Sequence, residues 1–94
     1  MIITIQGKQG EGKTSLAKKI YENRKAVFIN VRDIFARFGF MSVENDTEFI
    51  IVDDIKRKDF EKVYSVFTEN NIKIERRGEK SFSIKTPNVI LIRY

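Results

Sequence analysis

The sequence predicts an α/β domain built around a mainly parallel sheet in three layers. Four short segments are almost continuously apolar, as is typical of strands buried on both faces of a parallel sheet; they are residues 2–5, 26–30, 49–53 and 89–92. Segments with helical spacing of apolar residues lie between these strands and supply crossover connections. Residues 72–75 and 81–85 instead alternate between apolar and polar side chains on either side of a basic turn, which predicts a β-hairpin inserted before the last strand.

The first strand leads into a glycine-rich stretch, residues 7–14, with the sequence GKQGEGKT. Its G-x-x-x-x-G-K-[ST] spacing between a strand and a helix is that of a phosphate-binding loop. Glycines allow positive φ angles and close backbone approach, so that successive N–H groups can surround an anion at the positive end of the next helix. Lys13 can reach the β- and γ-phosphates of a nucleotide, and the Thr14 hydroxyl can bind Mg²⁺.

The set of residues expected to contact a nucleotide follows from this spacing. It comprises Gly7, Gln9, Gly10, Glu11, Gly12, Lys13, Thr14 and Ser15. Lys13 is also a candidate catalytic residue, because it can stabilise charge on the transferred phosphoryl group. The alternative interpretation is an ordinary glycine turn between a strand and a helix.

Three helices are predicted from the spacing of apolar residues. The first runs from the loop to about residue 23. The second covers 31–38, with Phe35 on its buried face and Gly39 as its C-terminal stop. The third runs from residue 60 to about residue 70, and Asp59 is placed to cap its N-terminus.

Two acids at the end of the third strand complete the candidate site. Asp53 ends this strand, and in a parallel sheet the strand carboxyl ends and the glycine loop lie at the same edge. Asp53 can therefore meet the Mg²⁺ held by Thr14, directly or through water. Asp54, the next residue, can orient or deprotonate an attacking water. A solvated loop or a helix cap is the alternative interpretation of the two acids.

Composition limits the classes of function. The chain has 94 residues, which is expected to form one domain (1–94), and it contains no Cys and no His. Disulfides, thiolate metal sites and imidazole chemistry are therefore excluded. No apolar run approaches the 18 residues of a membrane span. Because Met1 leads directly into the first strand, we expect no signal peptide and a cytoplasmic location.

The net charge of +5 agrees either with a polyanionic partner or with a solvated lysine-rich surface. Part of the positive charge lies in the predicted hairpin, where Gly78 is expected in the turn. Arg76, Arg77 and Lys80 are the candidate nucleic-acid-binding residues there. No aromatic residue lies at the tip to stack on bases, and a solvated basic turn is the alternative.

The order of these parts resembles the helicase domain of superfamily-three and related AAA+ ATPases, a group of P-loop NTPases that includes the Rep proteins of small single-stranded DNA viruses. The matching segments are Gly7–Thr14 for Walker A, Phe49–Asp54 for Walker B, Lys73–Ser83 for the hairpin before sensor 1, and Pro87–Ile92 for the sensor strand. The resemblance implies the parallel-strand order 1-4-3-2, which would leave the first strand at a sheet edge. It also implies ATP and Mg²⁺ as ligands, Asp53 as a metal ligand, Asp54 in place of the usual catalytic acid, and a hairpin that touches single-stranded DNA.

The sequence departs from that family at its end. Arg93 and Tyr94 follow the last strand where the family usually has a polar sensor residue, and from this sequence we expect no fifth strand, second domain or arginine-finger segment. A positive group near the γ-phosphate would come from Arg93 or from a neighbouring subunit, or would be lacking. We therefore expect an ATP-binding protein with weak or partner-dependent Mg-ATPase activity linked to nucleic acid, in a homo-oligomer or with a larger partner.

Other functions agree with the same residues. One is a non-catalytic nucleic-acid-binding or regulatory module whose P-loop holds only phosphate or nucleotide. Another is a small phosphotransferase, although no lid or acceptor pocket is evident in the sequence.

Overall fold

The computed structural model describes residues 1–6, 19 and 25–94. In this part of the chain four parallel strands form one sheet, in the order β1-β6-β3-β2; they are β1 (Ile2–Gln6), β2 (Ala26–Ile29), β3 (Phe49–Ile55) and β6 (Asn88–Arg93). The last strand thus lies between the first and the third, which confirms the predicted order. The glycine-rich stretch and most of the helix predicted after it lie outside the described residues; Lys19, within that predicted helix, is helical and exposed.

The predicted hairpin is confirmed as a separate two-stranded antiparallel sheet. It is formed by β4 (Asn71–Ile74) and β5 (Phe82–Lys85), with Ile72 opposite Ile84. Gly78 lies in the connecting loop at a φ of 72°, a conformation that favours glycine. Inward and outward residues alternate along β4, so the hairpin buries one face and exposes the other.

The two central strands of the parallel sheet, β3 and β6, are buried on both faces, as their apolar sequences predicted. On one face the central strands contribute to the larger core, whose sheet residues include Ile50, Val52, Val89 and Leu91. On the opposite face Ile51, Ile90 and Ile92 form a second buried cluster. Successive residues of one strand thus enter opposite cores, which explains why β3 and β6 lack polar alternation.

The two outer strands depart from that expectation. β1 and β2 lie at the ends of the strand order, and Ile3 and Phe28 are 38% and 39% exposed. A terminal strand has a neighbour on one side only, so less of its surface is covered. The apolar sequences therefore identified both strands correctly. We predicted more burial than β1 has, and Thr4 of β1 is exposed as well.

The second predicted helix is much shorter than expected. Helix α1 covers Val31–Ile34, and turns follow it. Ile34 is buried, but Phe35 is 56% exposed, so its predicted place on the buried face is wrong. A Cβ atom on Gly39 would lie 1.6 Å from the carbonyl oxygen of Asp33, so the turn that folds back onto α1 requires glycine.

The third predicted helix begins where expected and ends early. Helix α2 covers Phe60–Val66, after a short 3₁₀ helix at Arg57–Asp59. Asp59 precedes α2 but forms no side-chain capping hydrogen bond, so the predicted cap is wrong. Asp59 belongs to the preceding 3₁₀ turn and has helical φ and ψ, whereas a capping side chain needs an extended backbone. None of the helices among the described residues is both long and apolar enough for a membrane span.

Candidate functional site

The carboxyl ends of all four parallel strands meet at one edge of the sheet. Gln6, the last residue of β1, pairs with Arg93 of β6, and the glycine-rich stretch follows it directly. On the other side of β6, β3 carries Asp53 and Asp54 to the same edge. Adjacent strands lie about 4.8 Å apart, so the backbones of β1 and β3 are separated by roughly 10 Å.

Asp53 and Asp54 lie in a β-bulge. Val52 pairs with Leu91 and Ile55 pairs with Arg93, so three steps along β3 are matched by two along β6. The additional residue reverses the alternation, and Ile55 therefore returns to the same core as Val52. The apolar residue directly after the two acids was the signal in the sequence, but the strand was predicted to end at residue 53.

The bulge places Asp54 in an unusual backbone conformation. Its φ is 59°, and among the described residues Asp54 is the only non-glycine residue with a positive φ. Asp tolerates this left-handed region better than most residues, but the conformation still costs energy. Strained backbone of this kind is concentrated at functional sites, which makes the bulge a candidate site.

Local hydrogen bonds orient both carboxylates. Asp53 Oδ1 accepts a hydrogen bond from the backbone N–H of Asp54 at 2.7 Å. Asp54 Oδ1 accepts one from the hydroxyl of Tyr94, and the backbone N–H of Tyr94 donates to the carbonyl of Ile55 at 3.2 Å. Both the hydroxyl and the backbone N–H of Tyr94 therefore hold it beside the bulge. The sequence did not reveal this role.

Arg93 has a different environment from its neighbour. Its guanidinium carbon lies 4.1 Å from the ring centroid of Phe60, and its Nε donates to the carbonyl of Tyr94 at 3.3 Å. Since Leu91 faces the larger core, Arg93 two residues later faces the same side, where α2 packs. The cation proposed for a γ-phosphate thus lies against α2 in this structure.

A cleft of about 600 Å³ opens beside the two acids. It lies between the end of β3, the beginning of α1 and the 3₁₀ helix. Arg32, Phe35, Lys56 and Lys58 line it together with Asp53 and Asp54, among other residues. A cleft that the sequence did not reveal therefore lies next to Asp54, the predicted catalytic carboxylate.

The hairpin cations contact the protein itself. Arg76 donates to the carbonyls of Met41 at 2.9 Å and Val43 at 2.7 Å, and its guanidinium lies 5.2 Å from the centroid of Phe82. Arg77 lies 5.4 Å from the centroid of Phe38. Arg76 thus attaches the hairpin to the segment after α1, and its exposed fraction is only 27%.

Glu75 strengthens the same attachment. Its carboxylate contacts Lys73 Nζ at 3.2 Å and Arg37 Nε at 3.1 Å. These two cations, Lys73 first, hold the pKa of Glu75 below its usual value. By contrast, Lys80 is exposed at the far end of the hairpin loop.

The predicted nucleotide- and metal-binding residues divide into two groups. The nucleotide-binding set of residues 7–15, with Lys13 and Thr14, lies outside the described residues. Asp53 and Asp54 are brought together at the sheet edge. Within residues 1–6, 19 and 25–94, no group of three or more Asp, Glu, His or Cys side chains is arranged to bind a metal ion. A Mg²⁺ site would therefore need further oxygen ligands from outside the described residues, such as the hydroxyl of Thr14. The hydrogen-bonded carboxylate of Asp53 is a ligand of the type that Mg²⁺ prefers.

Known proteins resemble this chain in part of its sequence and in its fold. No family model matches it. Over 55 residues it is 36% identical to a Pyrococcus furiosus protein named "Putative adenylate kinase", a match that covers 58% of this chain and 31% of that protein. Two solved apo structures of the NrS-1 C-terminal region superpose on 99% of this chain with TM-scores of 0.72 and 0.68, at 16% and 21% identity.

The chain spans about a quarter of each of these two NrS-1 chains, 24% in both. At these identities the likeness concerns the fold alone. The strand order, the parallel sheet and the partial adenylate kinase match agree with one another. The chain therefore has a P-loop NTPase-like α/β fold.

Proposed function

We propose that this chain binds a nucleoside triphosphate, ATP by resemblance, together with Mg²⁺ at the carboxyl edge of its parallel sheet. The observation that carries the proposal is the strand order, which puts Gln6 and Asp53 at one edge with only β6 between them. The phosphate-binding motif begins at the residue after Gln6. A phosphate loop and a strand-end carboxylate about two strand spacings apart are the two halves of a Mg²⁺–nucleotide site.

The residues have separate roles in this proposal. The loop backbone from Gly7 to Gly12 binds the phosphates, with Gln9 and Glu11 contributing N–H groups, and Lys13 pairs with the β- and γ-phosphates. Thr14 and Asp53 hold the metal ion, and Ser15 adds a donor at the start of the helix. Bound Mg²⁺ would neutralise phosphate charge.

We further propose slow ATP hydrolysis with Asp54 as the general base. Its carboxylate is oriented by the Tyr94 hydroxyl, so Tyr94 acts as a positioning residue. One carboxylate oxygen of Asp54 can accept a proton from an attacking water. Since Arg93 lies against Phe60, the positive group near the γ-phosphate would come from a neighbouring subunit or a larger partner, which makes the activity partner-dependent.

Isothermal titration calorimetry tests nucleotide binding. We expect wild-type protein to bind Mg-ATP and Lys13→Ala to lose binding, because the lysine pairs with the phosphates. The matched control is Lys62→Ala, which removes an exposed lysine of α2 that does not line the cleft beside Asp53 and Asp54. No heat of binding at millimolar nucleotide would refute the proposal.

Hydrolysis is tested by phosphate release with Mg²⁺, with and without a single-stranded DNA oligonucleotide. Asp54→Asn should keep nucleotide affinity and lose most of the turnover, because an amide cannot accept the proton. Stimulation by DNA would support the link to nucleic acid. Equal turnover by Asp54→Asn and wild-type protein would remove Asp54 from the mechanism.

A second candidate function, binding of single-stranded nucleic acid, is supported by the exposed cations Arg77 and Lys80 on the hairpin and by Lys56, Arg57 and Lys58. Arg76 is expected to contribute less, because its donors are used by the carbonyls of Met41 and Val43. Phosphate contacts make affinity fall steeply with salt. Titration of a fluorescent oligonucleotide should therefore show salt-dependent binding that Arg77→Ala combined with Lys80→Ala weakens; salt-independent or absent binding would reject this function.

A further inference from the structure

The cleft beside Asp53 and Asp54 has a size and a lining suited to a second small ligand. Its volume of about 600 Å³ lies within the range of small-molecule sites, roughly 300–1,000 Å³. It opens between the end of β3, the beginning of α1 and the 3₁₀ helix. A molecule bound here would lie next to the carboxylates proposed for metal binding and proton transfer.

Phe35 gives the cleft an exposed aromatic surface. Its side chain is 56% exposed, more than Tyr64 or Phe28, although it directly follows helix α1 and the buried Ile34. An aromatic ring left open in a cleft is a surface on which a planar base can stack.

Three cations share the cleft with Phe35. Arg32 from α1, and Lys56 and Lys58 from the segment after β3, all line the cleft and are exposed. None of the three forms an ion pair with another described residue. They are therefore available to bind an anionic ligand such as a phosphate group.

Three carboxylates balance these cations. Asp53, Asp54 and Asp59 also line the cleft, so its formal charge is close to zero. A divalent cation at Asp53 would make the lining positive, which links the affinity of an anion in the cleft to the nucleotide site. The anion is expected to lie toward Lys56 and Lys58, away from the bulge.

We propose that this cleft binds a nucleoside monophosphate unit, either as a free mononucleotide or as the end of a nucleic acid strand. The base stacks on Phe35, and the phosphate pairs with Arg32, Lys56 and Lys58. The proposal deepens the proposed function and rests on it only for the placement of the unit beside bound Mg-ATP. It names a ligand site separate from the glycine-rich stretch and from the hairpin.

The experiment uses the protein saturated with a non-hydrolysable Mg-ATP analogue. Binding of AMP is measured in one titration, and binding of a fluorescent oligonucleotide of twelve thymidine nucleotides is measured in another. Saturation fills the triphosphate site, so the remaining binding reports the cleft. Phe35→Ala should weaken AMP or the oligonucleotide about tenfold, the loss expected for one base–aromatic stack. Met41→Ala, which removes another half-exposed apolar side chain outside the cleft, should leave binding unchanged.

Each outcome decides the question. Saturable binding of AMP that depends on Phe35 assigns the free mononucleotide, and Phe35-dependent binding of the oligonucleotide alone assigns the strand. No binding of either probe, or equal binding by Phe35→Ala, overturns the proposal. If the analogue itself does not bind, the proposed function fails. The proposal for the cleft is then tested by measuring whether the probes bind to the protein alone and whether that binding depends on Phe35.

Arg32→Ala gives an independent check, because it removes a cation and leaves the aromatic ring. We expect it to weaken the phosphate-bearing AMP about tenfold, the loss of one charge-assisted hydrogen bond, and to leave the nucleoside adenosine unaffected. Lys62→Ala should change neither. Equal losses for AMP and adenosine would contradict the phosphate role of Arg32.

Discussion

Two basic regions of this protein use similar residues in different ways. In the hairpin, Arg76 donates to backbone carbonyls and Arg77 lies over an aromatic ring, so these charges attach β4 and β5 to the segment after α1. At the sheet edge, Arg32, Lys56 and Lys58 line an open cleft beside two oriented acids. The difference shows that a cation's contacts, rather than its presence in a basic segment, decide whether it supports the fold or is available to a ligand.

The largest expected loss of stability comes from a substitution in the segment after α1, to which the hairpin is attached. Gly39→Ala should lower the free energy of unfolding by about 3 kcal/mol, because its Cβ would overlap a backbone oxygen that cannot move independently. Urea denaturation measures the loss. Gly78→Ala is the control: its Cβ would meet nothing within 4 Å, and only the positive φ should cost about 1 kcal/mol. Equal losses would contradict the close packing at Gly39.

Arg76→Ala tests the structural role of the hairpin cation. It removes two charge-assisted hydrogen bonds to carbonyl oxygens, so we expect a loss of about 2 kcal/mol in the free energy of unfolding. Arg77→Ala removes an exposed ring contact and should cost only about 0.5 kcal/mol. If Arg76→Ala leaves stability unchanged but weakens nucleic-acid binding, the assignment of Arg76 to the fold is wrong.

The strain at the sheet edge can be measured without any ligand. Asp54→Ala and Asp54→Gly both remove the carboxylate that Tyr94 contacts, but only glycine relaxes the positive φ. Asp54→Gly should therefore be more stable than Asp54→Ala by about 1 kcal/mol, as measured by thermal and urea unfolding. The reverse order would indicate that the backbone at Asp54 is not strained.

The smallest effect is expected from the ion pairs of Glu75. The cations Lys73 and Arg37 lower its folded-state pKa, so its contribution is complete above the ordinary pKa of 4.5 and is lost as the pH falls through the lowered value. Because the partners are largely exposed, Glu75→Gln should lower the free energy of unfolding only slightly at neutral pH. Denaturation curves at pH 3 and pH 7 should show a smaller acid-induced loss for the variant, and an identical loss would contradict this ion pairing.

Much of the fold could be predicted because it depends on local patterns of the sequence. The apolar runs identified the four parallel strands, the alternation around Ile72 and Ile84 identified the hairpin, and the resemblance supplied the strand order. Helix lengths were overestimated, because helical spacing continues through Phe35 although the chain turns back at Gly39.

The chemistry of the site was predicted only in outline. Asp53 and Asp54 were recognised from their place after an apolar strand, but the bulge depends on register with β6 and could not be read from β3 alone. The hydrogen bond from Tyr94 and the cleft around Phe35 join residues that are far apart in the sequence. Such contacts depend on tertiary packing, which no local pattern encodes.

The central claim, that nucleotide binding belongs to the sheet edge and not to the hairpin, is tested most directly by calorimetric titration of Mg-ATP into three proteins. These are wild type, Asp53→Asn and Arg77→Ala. Asp53→Asn should weaken Mg-ATP about tenfold or more, since it removes a charged metal ligand, and Arg77→Ala should bind as wild type does. Unchanged affinity in Asp53→Asn together with weakened binding in Arg77→Ala would contradict the claim.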